Sequence, residues 1–185
     1  MRNRRPSDGP PAEEPETSRR KAVDLARQAL QVAENGPGIL ANAALALALN
    51  PSFARGWYVS GNLRVWAGHH DLAIEHVETS LRLSPRERIG MPLSVLGRAY
   101  FCKRRFDEAA AQLFQSIEEN PGFPQSYRYL AACYAHLGRL REAREIVTRL
   151  RAITPLVVPS VMQFRNPEDR ELFLSGLRLA AGGET

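Results

Sequence analysis

The stretch GRAYFCKRRFDEAA, residues 97–110, sets one cysteine among four cations and two carboxylates. A reactive thiol would need its pKa lowered by a base or by a helix N-terminus aimed at the sulfur. Cys102 is placed instead near the C-terminal end of a helix, where the dipole has the opposite sign. The second candidate is GHHDLAIEH, residues 68–76, with three histidines and two acids. Ligands on one helix face stand three or four residues apart. His70 and His76 are six apart, and His69 and His70 fall in a turn, so the spacing reads as exposed turn histidines plus one surface histidine. No phosphate-binding glycine loop, nucleophile elbow or paired-carboxylate motif stands out. No catalytic, cofactor-binding or metal-ligating residue is therefore expected, and nothing argues for an enzyme.

The elements that carry these residues follow from the rest of the chain. Its 185 residues, 44% hydrophobic, suffice for one core or a short repeat array. The net charge of +5 rests almost wholly on arginine, since Lys21 and Lys103 are the only lysines. Acids interleave with those arginines in KRRFDEAA and RLREAREIVTRLR, as on solvated helix faces, so the charge argues against nucleic-acid binding. Cys102 and Cys133 are too few and too far apart for a zinc pattern and give no sign of an oxidising compartment. The charged start is no secretory signal, and the longest apolar run, ILANAALALAL, is about half a bilayer crossing. A cytoplasmic protein without a membrane segment is expected.

Residues 1–18 carry four prolines and almost nothing apolar, which predicts a disordered tail. Apolar residues at Val23, Ala26, Leu30 and Ala33 predict a helix that NGPG at 35–38 stops, and ILANAALALAL predicts a short second one. No convincing alternating strand occurs. Four segments end alike, in ALALNP, SLRLSP, SIEENP and LRAITP, with closing prolines at 51, 85, 121 and 155, spaced 34, 36 and 34 residues. Upstream of the last three, a first helix carries a small residue (Gly61, Gly97, Ala131). A tight turn follows, and a second helix carries an alanine (Ala73, Ala109, Ala143). The small residues let paired helices approach closely, and Trp57, Tyr100, Phe106, Leu113, Tyr127, Tyr134 and Val147 fill the remaining space. Asp71 and Asp107, at the start of second helices, are expected to suit the dipole and to cap. The turn at Arg104 is expected to tolerate substitution.

These residues resemble the tetratricopeptide repeats: Trp57, Gly61, Ala73 and Pro85 in one unit, Gly97, Tyr100, Ala109 and Pro121 in the next, and Tyr127, Ala131, Tyr134, Ala143 and Pro155 in the third. The implied fold is an all-α superhelix of antiparallel helix pairs. Residues 19–51 form a degenerate first unit, with Arg27 where the small residue belongs, and residues 52–155 hold the three clear repeats. Residues 156–185 are read as an extended linker and a capping helix, with Asn166 as N-cap, Pro167 as first residue and Phe173 and Leu177 on its apolar stripe.

The same resemblance implies a protein-interaction module whose first helices line a concave groove. Its groove-facing set would include Arg55, Tyr58, Asn62, Val65 and Trp66, then Met91, Ser94, Arg98 and Phe101, then Gln125, Arg128 and His136. Arginines beside exposed aromatics would suit a peptide with carboxylates and an apolar anchor. Tyr58 and Val95 stand where the family's chaperone-tail clamp wants a lysine and an asparagine, so that subtype is disfavoured. Residues 49–85 and 164–182 also resemble the C-terminal repeat region of bacterial adenylate/guanylate cyclase-type proteins. The catalytic residues of that family have no counterpart here, which implies a regulatory region. Self-association through a poorly capped first unit is the rival reading, and a nucleic-acid binder using the arginines is the second.

Overall fold

The computed structural model describes residues 38–85, 89–161 and 163–183. The expected tail over 1–18 and the helix through Val23 and Ala33 lie outside the described residues. Eight helices and no strand occur among the described residues: α1 (Gly38–Leu49), α2 (Ala54–Ala67), α3 (His70–Leu83), α4 (Gly90–Cys102), α5 (Phe106–Glu119), α6 (Pro124–His136), α7 (Leu140–Arg151) and α8 (Pro167–Ala180). Helices α2/α3, α4/α5 and α6/α7 pack as successive pairs, and each pair also packs on the next. The result is an all-α stack of successive helix pairs, as the repeat reading expects.

Each pair is drawn together at its small residues. A Cβ on Gly61 would lie 2.5 Å from Val77 Cγ2 and 3.1 Å from the Ala73 carbonyl oxygen, and one on Gly97 2.5 Å from Leu113 Cγ and 3.1 Å from the Ala109 carbonyl oxygen. Ala73, Ala109, Ala131 and Ala143 are all fully buried. Two further locks recur across the units. Trp57 Nε1 donates to the Pro51 carbonyl at 2.8 Å and Tyr127 Oη to the Pro121 carbonyl at 2.9 Å, so an aromatic of one unit fastens the proline that closes the unit before it. Ser80 Oγ donates to the Ala54 carbonyl at 2.8 Å and Ser116 Oγ to the Gly90 carbonyl at 2.6 Å, each tying the end of a second helix to the start of its first. These buried serine hydroxyls thereby find carbonyl acceptors, as an apolar interior requires.

The turns inside the pairs are equally regular. The backbone N–H groups of His69, Arg105 and Arg139 donate to the carbonyls of Arg64, Tyr100 and Tyr134 at 2.9, 3.0 and 2.8 Å. The geometry needs a left-handed residue one position earlier, supplied by Gly68 (φ 83°), Arg104 (φ 60°) and Gly138 (φ 75°). Arg104 is thus the odd member: two units use glycine where this one bends an arginine into a region costly for a residue with a Cβ. The expected caps are corrected here. The N-caps of α3, α5 and α7 are His69, Arg105 and Arg139 and make no side-chain cap bond. Asp71 pairs instead with Lys103 at the end of α4. Asn166 does cap α8, accepting from the Glu168 N–H at 2.9 Å.

Gly97→Leu is expected to overpack the α4/α5 contact and lower stability by about 1–3 kcal/mol, read by denaturant melts. Arg104→Gly should raise stability by about 1 kcal/mol, the order of the left-handed penalty it relieves. Equal melting of both variants with the parent would refute this account of the helix pairs and their turns.

Candidate functional site

The first helices of the three units, α2, α4 and α6, line the concave face, and the C-terminal segment folds back across one end of it. Arg165 N–H donates to the Trp66 carbonyl at 3.1 Å, and Phe164 meets the Trp66 ring edge-on at 5.0 Å between centroids. Phe173 of α8 stacks on Tyr129 at 4.3 Å and meets Phe101 at 6.4 Å. His136 Nε2 donates to the Leu172 carbonyl at 2.8 Å. Close approach at this crossing is enforced by Gly176, where a Cβ would sit 2.8 Å from Ala132 Cβ. Helix α8 therefore caps the array by packing on α6 and reaching Phe101 of α4, while the segment just before it, at Phe164 and Arg165, covers the C-terminal end of α2.

This placement corrects several expectations. Phe101 is fully buried against α8 and Tyr129, so it offers no surface to a ligand, and His136 is committed to the Leu172 carbonyl and stacked on Phe106 at 5.0 Å. Val65 and Ser94 are also fully buried. Val95 is buried as well, at 1% exposure. The histidines differ from exposed turn residues as well. His70 opens α3 and bonds Asp169, and His76 Nδ1 lies 3.0 Å from Ser60 Oγ, while His69 is exposed. Burial lowers the His76 pKa and raises the Cys102 and Cys133 thiols far above their usual range, so neither cysteine is a thiolate nucleophile at neutral pH.

The other end of the concave face stays open as a cleft of about 250 Å3 lined by Tyr58, Asn62, Trp66, Met91, Arg98, Gln125 and Arg128, with Phe123 and Pro124 at its edge. Seven residues expected in the groove thus meet in one place. A second hollow of about 310 Å3 adjoins it through Tyr58 and Met91 and brings in exposed Arg55. Arg98 is 4% exposed. Its guanidinium donates to Asn62 Oδ1 and, through Nε, to the Ser94 carbonyl at 3.4 Å, and it lies over the Trp66 ring at 4.8 Å. That cation–π contact is worth about 2 kcal/mol in so dry a site. Arg128 donates to the carbonyls of Val157 at 3.0 Å and Leu156 at 2.7 Å and to Gln125 Oε1 at 3.2 Å. Burial lowers the pKa of both guanidiniums. Among the described residues neither has a carboxylate partner. The cleft is therefore a positively charged, aromatic-walled concavity with two uncompensated guanidiniums, suited to carboxylates and backbone carbonyls.

Sequence reasoning missed the fold-back of α8. Its signal was the apolar content of the groove itself: Trp66 and Phe101 at equivalent ends of α2 and α4, facing a C-terminal segment that carries Phe164 and Phe173.

Comparison with known proteins agrees with this geometry. Residues 96–158 match the tetratricopeptide repeat family model. No curated protein matches the chain in sequence. Among solved structures, YrrB, described as a TPR protein with an unusual peptide-binding site, is 23% identical with a TM-score of 0.59, over 87% of this chain and 84% of that one. TTC0263, a thermophilic TPR protein of Thermus thermophilus, is 20% identical with a TM-score of 0.64, over 89% and 83%. The first TPR of Spaghetti (RPAP3), bound to the HSP90 peptide SRMEEVD, is 20% identical with a TM-score of 0.52, over 69% and 95%. At these identities the likeness is one of fold. The chain folds as a tetratricopeptide-repeat superhelix, and its residues 96–158 carry that family's sequence pattern.

Proposed function

We propose that the protein is a non-enzymatic interaction module that binds an extended, acidic peptide segment of a partner in the cleft between α2, α4 and α6. The observation that carries this reading is the pair of guanidiniums, Arg98 and Arg128, lining one cleft with no acid beside them among the described residues. A ligand carboxylate supplies the missing counter-charge, and Trp66, Tyr58 and Met91 give an apolar anchor a wall. Asn62, already accepting from Arg98, holds that guanidinium in place. Arg55 at the rim steers acidic ligands toward the cleft and contributes less to the final affinity. Phe101 and His136 serve by seating α8, which closes the far end of the groove.

The resemblance to the repeat region of cyclase-type proteins supports placing this module in bacterial signalling, as a regulatory region that recruits a partner. The known peptide-bound neighbours support the choice of a peptide, not its identity.

The test is fluorescence anisotropy with labelled acidic peptides, alongside the same peptides with Asp and Glu changed to Asn and Gln. Selective binding to the acidic set is expected, weakening with salt, and Arg98→Gln or Arg128→Gln should reduce affinity by roughly tenfold or more, the worth of a charge-assisted hydrogen bond. Glutamine avoids burying an unpaired carboxylate beside Trp66, as a charge reversal at Arg98 would. Equal binding of acidic and amide peptides, or unchanged affinity in both folded variants, would refute the reading.

A further inference from the structure

Outside the cleft, three side chains from distant segments meet under the C-terminal helix. His70 begins α3, Cys102 ends α4 and Asp169 lies in the first turn of α8. His70 Nε2 stands 2.9 Å from Asp169 Oδ2, and the three potential ligand atoms, nitrogen, sulfur and oxygen, all lie within 4.8 Å of one another. Among the described residues no other group of three such side chains converges in this way.

We propose that His70, Cys102 and Asp169 form a binding site for a divalent transition-metal ion of the zinc class. Imidazole nitrogen, thiolate sulfur and carboxylate oxygen are the donor types zinc takes. Zinc holds its ligands at about 2.0–2.3 Å, so donors on a shared ion stand roughly 3.5 Å apart: the Cys102 sulfur has to close on the other two donors by about 1 Å, while the His70–Asp169 pair opens by about half an ångström. The charges balance: a doubly positive ion with one thiolate, one carboxylate and a neutral imidazole is neutral overall, which suits the Asp169 side chain at 7% exposure. On binding, the Cys102 thiol gives its proton to solvent as the sulfur–metal bond forms, with no change of oxidation state. A fourth position is left for water.

Two further observations point to bonding capacity that the surroundings leave unused. His70 Nδ1 is buried without a hydrogen-bond partner among the described residues, and so is Tyr129 Oη. The Tyr129 phenol is fully buried. The ion would join the α2/α3 pair, the α4/α5 pair and α8, so its binding would clamp the C-terminal helix over the groove.

The full chain is titrated with Co2+ and with Zn2+ alone, following thiolate-to-cobalt absorption and thermal melting. One equivalent of cobalt should produce the thiolate band, zinc should bleach it, and zinc should raise the melting temperature. Cys102→Ser and Asp169→Asn should weaken zinc binding by more than roughly tenfold, the upper part of the range seen for altered metal surroundings. Cys133→Ala and His69→Ala should keep it. No cobalt–thiolate band in the unaltered chain would overturn the proposal without recourse to any variant, leaving a His–Asp pair beside a core thiol. So would a band that survives Cys102→Ser or disappears in Cys133→Ala. These readouts involve no peptide, so they stand or fall apart from the function proposed for the cleft.

Discussion

Backbone-to-backbone approach at Gly61 and Gly97 is the constraint from which the remaining architecture follows. A helix pair brought this close leaves no room for a Cβ at the crossing, and the buried alanines opposite complete the contact. Once the crossing is fixed, the geometry of the turn is fixed with it. The left-handed position at 68, 104 and 138 and the backbone bond that follows it recur in all three units. The aromatic-to-proline and serine-to-carbonyl bonds then set each pair against its neighbour, and the first helices line up along one concave wall. The guanidiniums of Arg98 and Arg128 converge because that wall curves.

Most of this was legible in the sequence, for a physical reason. A repeat whose period is set by helix length and turn length writes the same small residue, alanine and proline into each unit, so three weak signals add. Of the groove-facing set that the repeat resemblance implied, Tyr58, Asn62, Trp66, Arg98 and Arg128 line one cleft. What escaped were contacts that do not repeat. Phe101 and His136 have groove-facing register, but their fate depends on where Phe173 and Leu172 come to rest, and no periodicity encodes that. The grouping of His70, Cys102 and Asp169 was hidden for the same reason: local spacing rules examine one segment at a time. The cap assignment of Asp71 failed because the helix starts at His70, which puts Asp71 inside the first turn, where its carboxylate pairs with Lys103.

The C-terminal segment gives the groove two different characters. Toward the C-terminal ends of the first helices it is filled by stacked rings and behaves as core. Toward the other end it presents dry, charged donors held by Asn62, the Trp66 ring and the protein's own carbonyls. Arg128 shows how the two are joined, because it grips the backbone of 156–157 from within the cleft. The chain's own main-chain carbonyls at 156 and 157 are thus held by a guanidinium of the cleft.

The bonds from Arg165 to Trp66 and from His70 to Asp169 each span 99 residues of chain. An ordinary repeat array touches only its nearest neighbours, so it can fray from either end one unit at a time. Here the last helix is tied back to the first complete pair, which turns an open stack into a closed circuit. Fraying at the C-terminal end must break contacts in every unit at once, and late-synthesised residues are needed before the early ones reach their final stability. Such long-range closure slows folding relative to a purely local helical stack.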